Sequence, residues 1–331
     1  MKFFVGYQLF AGSEFVKSII KRKESISEVY FSWGDLPNGR SIQTDRSDMT
    51  PWEAQQKQFD DLKKISGSGI NTNLLFNATC YGKDSLSKSF FEKVGDITDY
   101  CLQNLRLSSV TTASPLIAKF IKANFPHLCV RASVNMEIGS IEGMEYVEEY
   151  FDSFYMKREL NRNFLKIREL KNWCETNGKT LYALANSGCL NNCSAHIFHD
   201  NLVSHEGEIL AMNNGYAFSG ICHGFLKKKD NVYKILDNTG FIRPEDIYLY
   251  EDVFPAVKLA TRVSSNPEKI LRAYLDNRKH SGSVFDLLEP NHSGTIYPYV
   301  LENSLIKAEF DETGIRYTGI ENSLIKLEEQ L

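Results

Sequence analysis

The stretch TLYALANSGCLNNC, Thr180–Cys193, changes character halfway along. Its first six residues, Thr180–Ala185, are almost continuously apolar and carry no alternation, as expected of a strand buried on both faces of a parallel sheet. The rest is turn-forming and ends in two cysteines spaced Cys-x3-Cys, at Cys189 and Cys193. A buried strand running directly into such a loop puts the loop at the C-terminal edge of a parallel sheet, where α/β proteins carry out their chemistry.

Seven more runs of the same kind accompany it. Five precede it in the first 134 residues, at Phe3–Tyr7, Ser27–Phe31, Asn71–Asn77, Ser108–Thr111 and Leu128–Val134. Ser153–Lys157 and Val253–Leu259 complete the set. Helical spacings separate them: Phe15, Val16, Ile19 and Ile20; Phe59, Leu62 and Ile65; Phe90, Phe91, Val94 and Ile97; Leu116, Ile117, Phe120 and Ile121. Met144 and Val147, then Phe164, Ile167, Leu170 and Trp173, continue the series, and Ile270, Leu271 and Tyr274 close it after the eighth strand. Pro244 suits the first position of a short helix over Pro244–Tyr250.

Eight strands, each followed by a helix, predict an α/β fold of the (β/α)8 TIM-like barrel type over residues 1–280. An open doubly wound sheet would need a glycine-rich phosphate turn after the first strand, and Phe10-Ala11-Gly12-Ser13 does not supply one. One connection breaks the rhythm. Residues 186–252 form a long Cys/His-rich excursion between strands 7 and 8, expected to serve or cover the barrel mouth. An irregular tail, residues 281–331, is expected to pack on the barrel or to contact a partner; it holds ENSLIK twice, at Glu302–Lys307 and Glu321–Lys326, as two similar short amphipathic elements.

The chain has 331 residues, 42% of them apolar, and a formal net charge of -4. That balance gives no global electrostatic reason to expect DNA or a membrane surface. No stretch reaches the apolar length of a membrane span. In MKFFVGYQLF, Tyr7 and Gln8 interrupt the only short apolar run near the start, so a cytoplasmic protein is expected.

Seven cysteines are an odd number for a disulfide framework. Cys189, Cys193 and Cys222 crowd into the excursion together with His196, His199, His205 and His223. Thiolates suit zinc and iron–sulfur centres. Those three cysteines are therefore candidate metal ligands, and Cys80 is the candidate fourth because it follows the third strand and opens onto the same mouth. A zinc site that takes His196 or His199 in place of a thiol is the alternative. His205 and His223 are read as outer or surface residues, and Cys101, Cys129 and Cys174 as packing groups on helices or within a strand.

Several ordered motifs resemble the peptidase U32 family, in its compact-barrel branch with a Cys-x3-Cys loop. They are Arg131–Asn135 (RASVN), Lys157–Leu160 (KREL), Asn186–His205, Phe241–Asp246 (FIRPED) and Lys258–Arg262 (KLATR). The resemblance implies a barrel with a cysteine-ligated 4Fe–4S cluster and oxygen-independent hydroxylation of a small molecule or RNA. The family name implies proteolysis, but no His-Glu-x-x-His motif or Ser/His/Asp order is present. Some relatives act as metal-bearing partners of a second barrel subunit. This sequence departs from the pattern where Ser194, Ala195 and His196 follow the second loop cysteine in place of the usual proline and arginine. Glu159 and Lys258 are the candidate catalytic residues at strand ends, with Asn77, Arg131, Ser133, Lys157 and Arg262 as candidate pocket residues.

Overall fold

Eight parallel strands close into a barrel in sequence order, β1-β2-β3-β4-β5-β6-β7-β8. They are β1 (Lys2–Gly6), β2 (Ile26–Phe31), β3 (Asn71–Phe76), β4 (Leu107–Thr112), β5 (Cys129–Ala132), β6 (Ser153–Tyr155), β7 (Thr180–Leu184) and β8 (Ala256–Leu259). Closure is made by β1 against β8, with Lys2 opposite Ala256 and Val5 opposite Leu259. This computed structural model describes residues 1–34, 36–39 and 49–327, so the last residues of the expected tail, 328–331, lie outside it.

Outside the barrel lie α1 (Gly12–Lys21), α2 (Pro51–Gly67), α3 (Lys88–Asn104), α4 (Pro115–Asn124), the short α5 (Ile141–Glu145) and α6 (Phe164–Thr176). Their starts are written in the sequence. Thr50 and Glu53 form a reciprocal capping box ahead of Pro51, while Ser87, Ser114 and Asn163 accept hydrogen bonds from the first turns of α3, α4 and α6. The apolar stripes of these helices meet the outer face of the strands. Val5, Val29, Leu74, Val110, Val130, Phe154, Leu181 and Val257 belong to that large outer core.

The excursion after β7 holds α7 (His196–Ser204), α8 (Glu206–Leu210), α9 (Ile221–Leu226) and α10 (Lys229–Val232), and the expected turn of helix at Pro244–Tyr250 forms as a 3-10 helix. After β8 come α11 (Pro267–Leu271), α12 (Ser293–Ile296), β9 (Tyr299–Leu301), β10 (Lys307–Phe310), β11 (Ile315–Thr318), α13 (Ile320–Ser323) and β12 (Leu324–Lys326). The two ENSLIK copies fold differently: the first makes a 3-10 turn leading into β10, the second α13 and then β12, which pairs with β9.

Two strand ends differ from expectation for local reasons. Strand β8 starts at Ala256 and not Val253, because Pro255 lacks an N–H and the N–H groups of Val253 and Phe254 both donate to the Tyr250 carbonyl. Strand β5 stops at Ala132 because the Ser133 hydroxyl caps a 3-10 turn over Val134–Met136, accepting from the Asn135 N–H at 3.2 Å.

Strand alternation sends a second set of side chains into the barrel, and that set is unusually polar. Phe4, Tyr30, Leu75, Tyr155 and Leu184 form a small inner core. Glu28 on β2 meets Arg131 on β5 across the barrel at 2.8 Å, both almost wholly buried. Ser109 donates to Glu28 at 2.7 Å, and the Arg131 guanidinium lies 4.6 Å from the Phe4 ring centroid and 4.7 Å from that of Tyr182. Removing one member strands the other as an uncompensated buried charge. Glu28→Ala should therefore lower unfolding stability by about 3–5 kcal/mol in urea titrations, and the double change Glu28→Met with Arg131→Met should be milder than either single change. A loss below about 1 kcal/mol for Glu28→Ala would mean that the pair behaves as an exposed one.

Candidate metal centre and mouth pocket

The C-terminal ends of the strands surround a small cavity of about 50 Å³. Asn77, Lys258 and Arg262 line it together with Arg158, Ser187 and Glu289. Three of the residues expected from the sequence thus share one wall. Asn77 is fixed by the Gly39 N–H, which donates to its Oδ1 at 3.1 Å, and by Asn135, which donates to its carbonyl at 3.0 Å. Arg262 donates to Ser32 and Asn38.

The other expected residues have different places. Arg131 lies deeper, inside the barrel, and Ser133 caps the turn after β5. Lys157 and Glu159 pair at 2.8 Å, and Glu159 also accepts from the Asn192 N–H at 2.5 Å, which ties the Cys-x3-Cys loop to the turn after β6. Arg158, next to them, is the buried one: it donates to Cys189 Sγ at 3.4 Å and to Glu137 at 2.7 Å.

Among the described residues Lys258 makes no ion pair, although the Glu28 and Glu289 charges act on it. Its Nζ sits 4.2 Å from the Tyr30 ring centroid and 5.0 Å from that of Tyr155. Burial, then the nearby Arg262 and Arg131 charges, push its ammonium down to about 7.

The soft side chains of the excursion divide into groups. Cys189 follows β7, Cys193 precedes α7, and Cys222 lies in the first turn of α9. Burial pushes the Cys222 thiol up, and charge on Cys189 and Cys193 pushes the same way, so the three sulfurs act on one another. Ligand atoms of Cys222, His223 and His292 all lie within 4.8 Å of one another. His292 is fully buried; its Nε2 sits 2.9 Å from the Gly188 carbonyl, and its Nδ1 is buried without a hydrogen-bond partner. A carbonyl at Nε2 sets the tautomer that leaves Nδ1 with a lone pair, the state a metal requires. The Thr295 hydroxyl meets His223 Nδ1 at 3.1 Å and holds that ring in place. Gly220, at a φ of 87°, leaves room beside the sulfur; a Cβ there would stand 3.2 Å from Cys222 Sγ.

His196 is held elsewhere, its Nε2 lying 2.7 Å from Arg158 and 3.1 Å from Asp200. His199 packs edge-on against Phe218. Cys80 accepts the Gly82 N–H at 3.5 Å, with His205 beside the same turn. Cys101 and Cys174 are buried packing groups, each pushed up to about 12 by burial, while Cys129 is half-buried beside Ser153. His292 and Thr295 were invisible as site residues, because the tail has no periodicity and only folding brings them to the excursion. The adjacent pair Cys222-His223 was the one available signal.

These features define a TIM-like barrel with a candidate Cys/His metal site at its mouth. Neither a family model nor a curated protein matches this chain. Among solved structures, its fold is similar to that of the U32 peptidase Mk0906, at 14% identity over 78% of this chain and 91% of that one, with a TM-score of 0.54. That likeness supports the U32 fold. An Oleispira antarctica phosphodiesterase in complex with sn-glycerol-3-phosphate is similar at 13% identity over 63% of this chain and 96% of that one, with a TM-score of 0.39. A GH113 β-1,4-mannanase reaches 10% identity over 78% and 86%, also at 0.39. At those scores the chemistry of the last two has no bearing here. Among the described residues no helix is long and apolar enough to cross a membrane.

Lys258 makes the electrostatics of the mouth testable. Its folded pKa of about 7 lies below the unfolded value of ~10.4, so the unfolded chain binds more protons between those limits. The stability lost to burying this ammonium below pH 7 is regained as pH rises toward about 10. Urea midpoints measured across that window should climb, and Lys258→Met should flatten the climb. An equally steep rise in the variant would contradict the assignment.

Proposed function

We propose that this chain is a U32-like oxidoreductase with a metal centre at the barrel mouth, working on an anionic small molecule held beside it. The convergence of Cys222, His223 and His292 within 4.8 Å, with Cys189 and Cys193 near enough for their charge to act on Cys222, carries this reading. The donor set accommodates an iron–sulfur cluster: Cys189, Cys193 and Cys222 supply three thiolates, and the unpartnered Nδ1 of His292 takes the place expected of Cys80. Such a cluster supplies electron transfer, as an oxygen-independent hydroxylase requires. The chain's own groups would bind the substrate: Arg262 and Lys258 offer positive charge and Asn77 an amide, in a cavity of about 50 Å³ suited to a small group rather than an RNA strand. Arg158 would stabilise thiolate at Cys189 by its hydrogen bond to the sulfur.

The closeness of two histidines to one cysteine favours a second reading, a zinc hydrolase with Cys222, His223, His292 and one thiol of the loop as ligands. Anaerobic purification followed by iron, sulfide and zinc analysis separates the two. The first reading predicts iron and sulfide in equal amounts with broad visible absorption, both reduced strongly by Cys222→Ser and by His292→Ala. Zinc without sulfide would select the second, and metal-free protein after anaerobic reconstitution would overturn both.

A further inference from the structure

Cys80 belongs to a different constellation. The charged groups that act on it are His205 and Glu208, whereas those that act on Cys222 are Cys189 and Cys193. Its sulfur receives the Gly82 N–H at 3.5 Å, and His205 lies beside the same turn, its Cε1 3.7 Å from where a Gly82 Cβ would stand. His205 Nδ1 lies 3.0 Å from Glu208 Oε2. This is the nucleophile, base and orienting carboxylate of a thiol acyl-transfer site, in that order.

The local fold builds it. Cys80 ends the turn that leaves β3, and Gly82, at a φ of 71°, bends the chain back so that its N–H faces the sulfur. Two hydrogen bonds pin that turn to α7: the Thr79 N–H donates to Ser204 at 3.1 Å, and the Thr79 hydroxyl donates to Asn201 at 2.7 Å. His205 follows Ser204 directly, and one helical turn later α8 presents Glu208 on the same side. Cys80 is half-buried and accessible. His205 and Glu208 also line a cleft of about 540 Å³, whose other walls include Gln8, Gln55, Gln58 and Arg262. Leu9, Phe31, Leu36 and Ala54 share the lining with these amides, so the cleft offers an acyl chain apolar walls with a few polar contacts.

We infer that Cys80, His205 and Glu208 form a nucleophilic site, separate from the metal centre, that hydrolyses an ester or amide whose acyl chain lies in the 540 Å³ cleft. The Cys80 thiolate attacks the carbonyl carbon, forming a C–S bond. The tetrahedral oxyanion collapses, the C–O or C–N bond breaks, and the leaving group takes a proton from the His205 imidazolium. Water then adds to the thioester, giving its proton to His205; the C–S bond breaks, the carboxylic acid leaves, and the thiolate is restored. Glu208 is a positioning residue that orients the imidazole. His205 also draws the Cys80 thiol below its ordinary range, while Glu208 opposes this, and Cys80 and Glu208 together raise His205.

The test uses the full chain with p-nitrophenyl acetate as acyl donor, reading p-nitrophenolate release and the acetylated residue by peptide mass spectrometry. A stoichiometric burst with acetyl on Cys80, followed by slower turnover, is expected. Cys80→Ser should abolish burst and adduct while leaving bound metal unchanged, and His205→Asn should slow the burst roughly a hundredfold. Glu208→Ala should slow it with the amplitude retained, and Glu208→Asp should restore much of the rate. Acetylation confined to other residues, or turnover unchanged in Cys80→Ser, overturns the proposal. Loss of metal in Cys80→Ser overturns it too, because Cys80 would then be a ligand; the metal centre itself stands or falls on its own assay.

Discussion

A charge pair buried inside the barrel constrains everything built on top of it. Glu28 and Arg131 come from β2 and β5, strands that are not neighbours, so their 2.8 Å contact spans the interior and forces both strands to present these side chains inward at the same height. A one-residue slip in either strand would turn a charge into the apolar outer core. Ser109 completes the acceptor side of the pair, and the Phe4 and Tyr182 rings flank the cation. The same cation helps to keep Lys258 short of its proton, so the chemistry of the mouth is coupled to the packing beneath it.

The mouth itself is assembled from three separate parts of the chain. Asn186, at the end of β7, is the junction: its side chain donates to the carbonyls of Ala260 and Leu287 and accepts from the Ala260 N–H at 2.6 Å. Gly188 then runs against the tail so closely that a Cβ would stand 2.4 Å from the Pro290 carbonyl oxygen. That contact, with the Gly188 N–H bonded to Glu289 at 2.8 Å, is what delivers His292 to the cysteines. The tail is therefore part of the site: it supplies one donor and, through Thr295, orients another.

All eight strands were legible in the sequence because most are near-continuously apolar or β-branched, although inward Glu28, Asn73, Ser109, Arg131 and Lys258 interrupt several of them, and Pro244 marked the start of its 3-10 helix. Strand ends were less so: Pro255 and Ser133 each shorten a run through a single missing or diverted hydrogen bond. At the site, the excursion cysteines showed themselves by crowding, Lys258 by lying near the end of β8 and Arg262 by following it. His292 gave no signal, since its role depends on the Gly188–Pro290 approach far away in the chain. Cys80 does follow the third strand, yet the turn it ends lies beside His205, whose position depends on where α7 stops. Local pattern reports the barrel; the partners of each reactive group are fixed by loop packing that no periodicity encodes.

The most direct measurement is anomalous diffraction from crystals of anaerobically prepared protein, collected at the absorption edge of whichever metal is bound. The account predicts a peak within bonding distance of Cys222 Sγ and His292 Nδ1, with Cys189 or Cys193 completing the site. A peak at Cys80 and His205 instead, or no anomalous peak at the mouth in protein shown to contain metal, would contradict it.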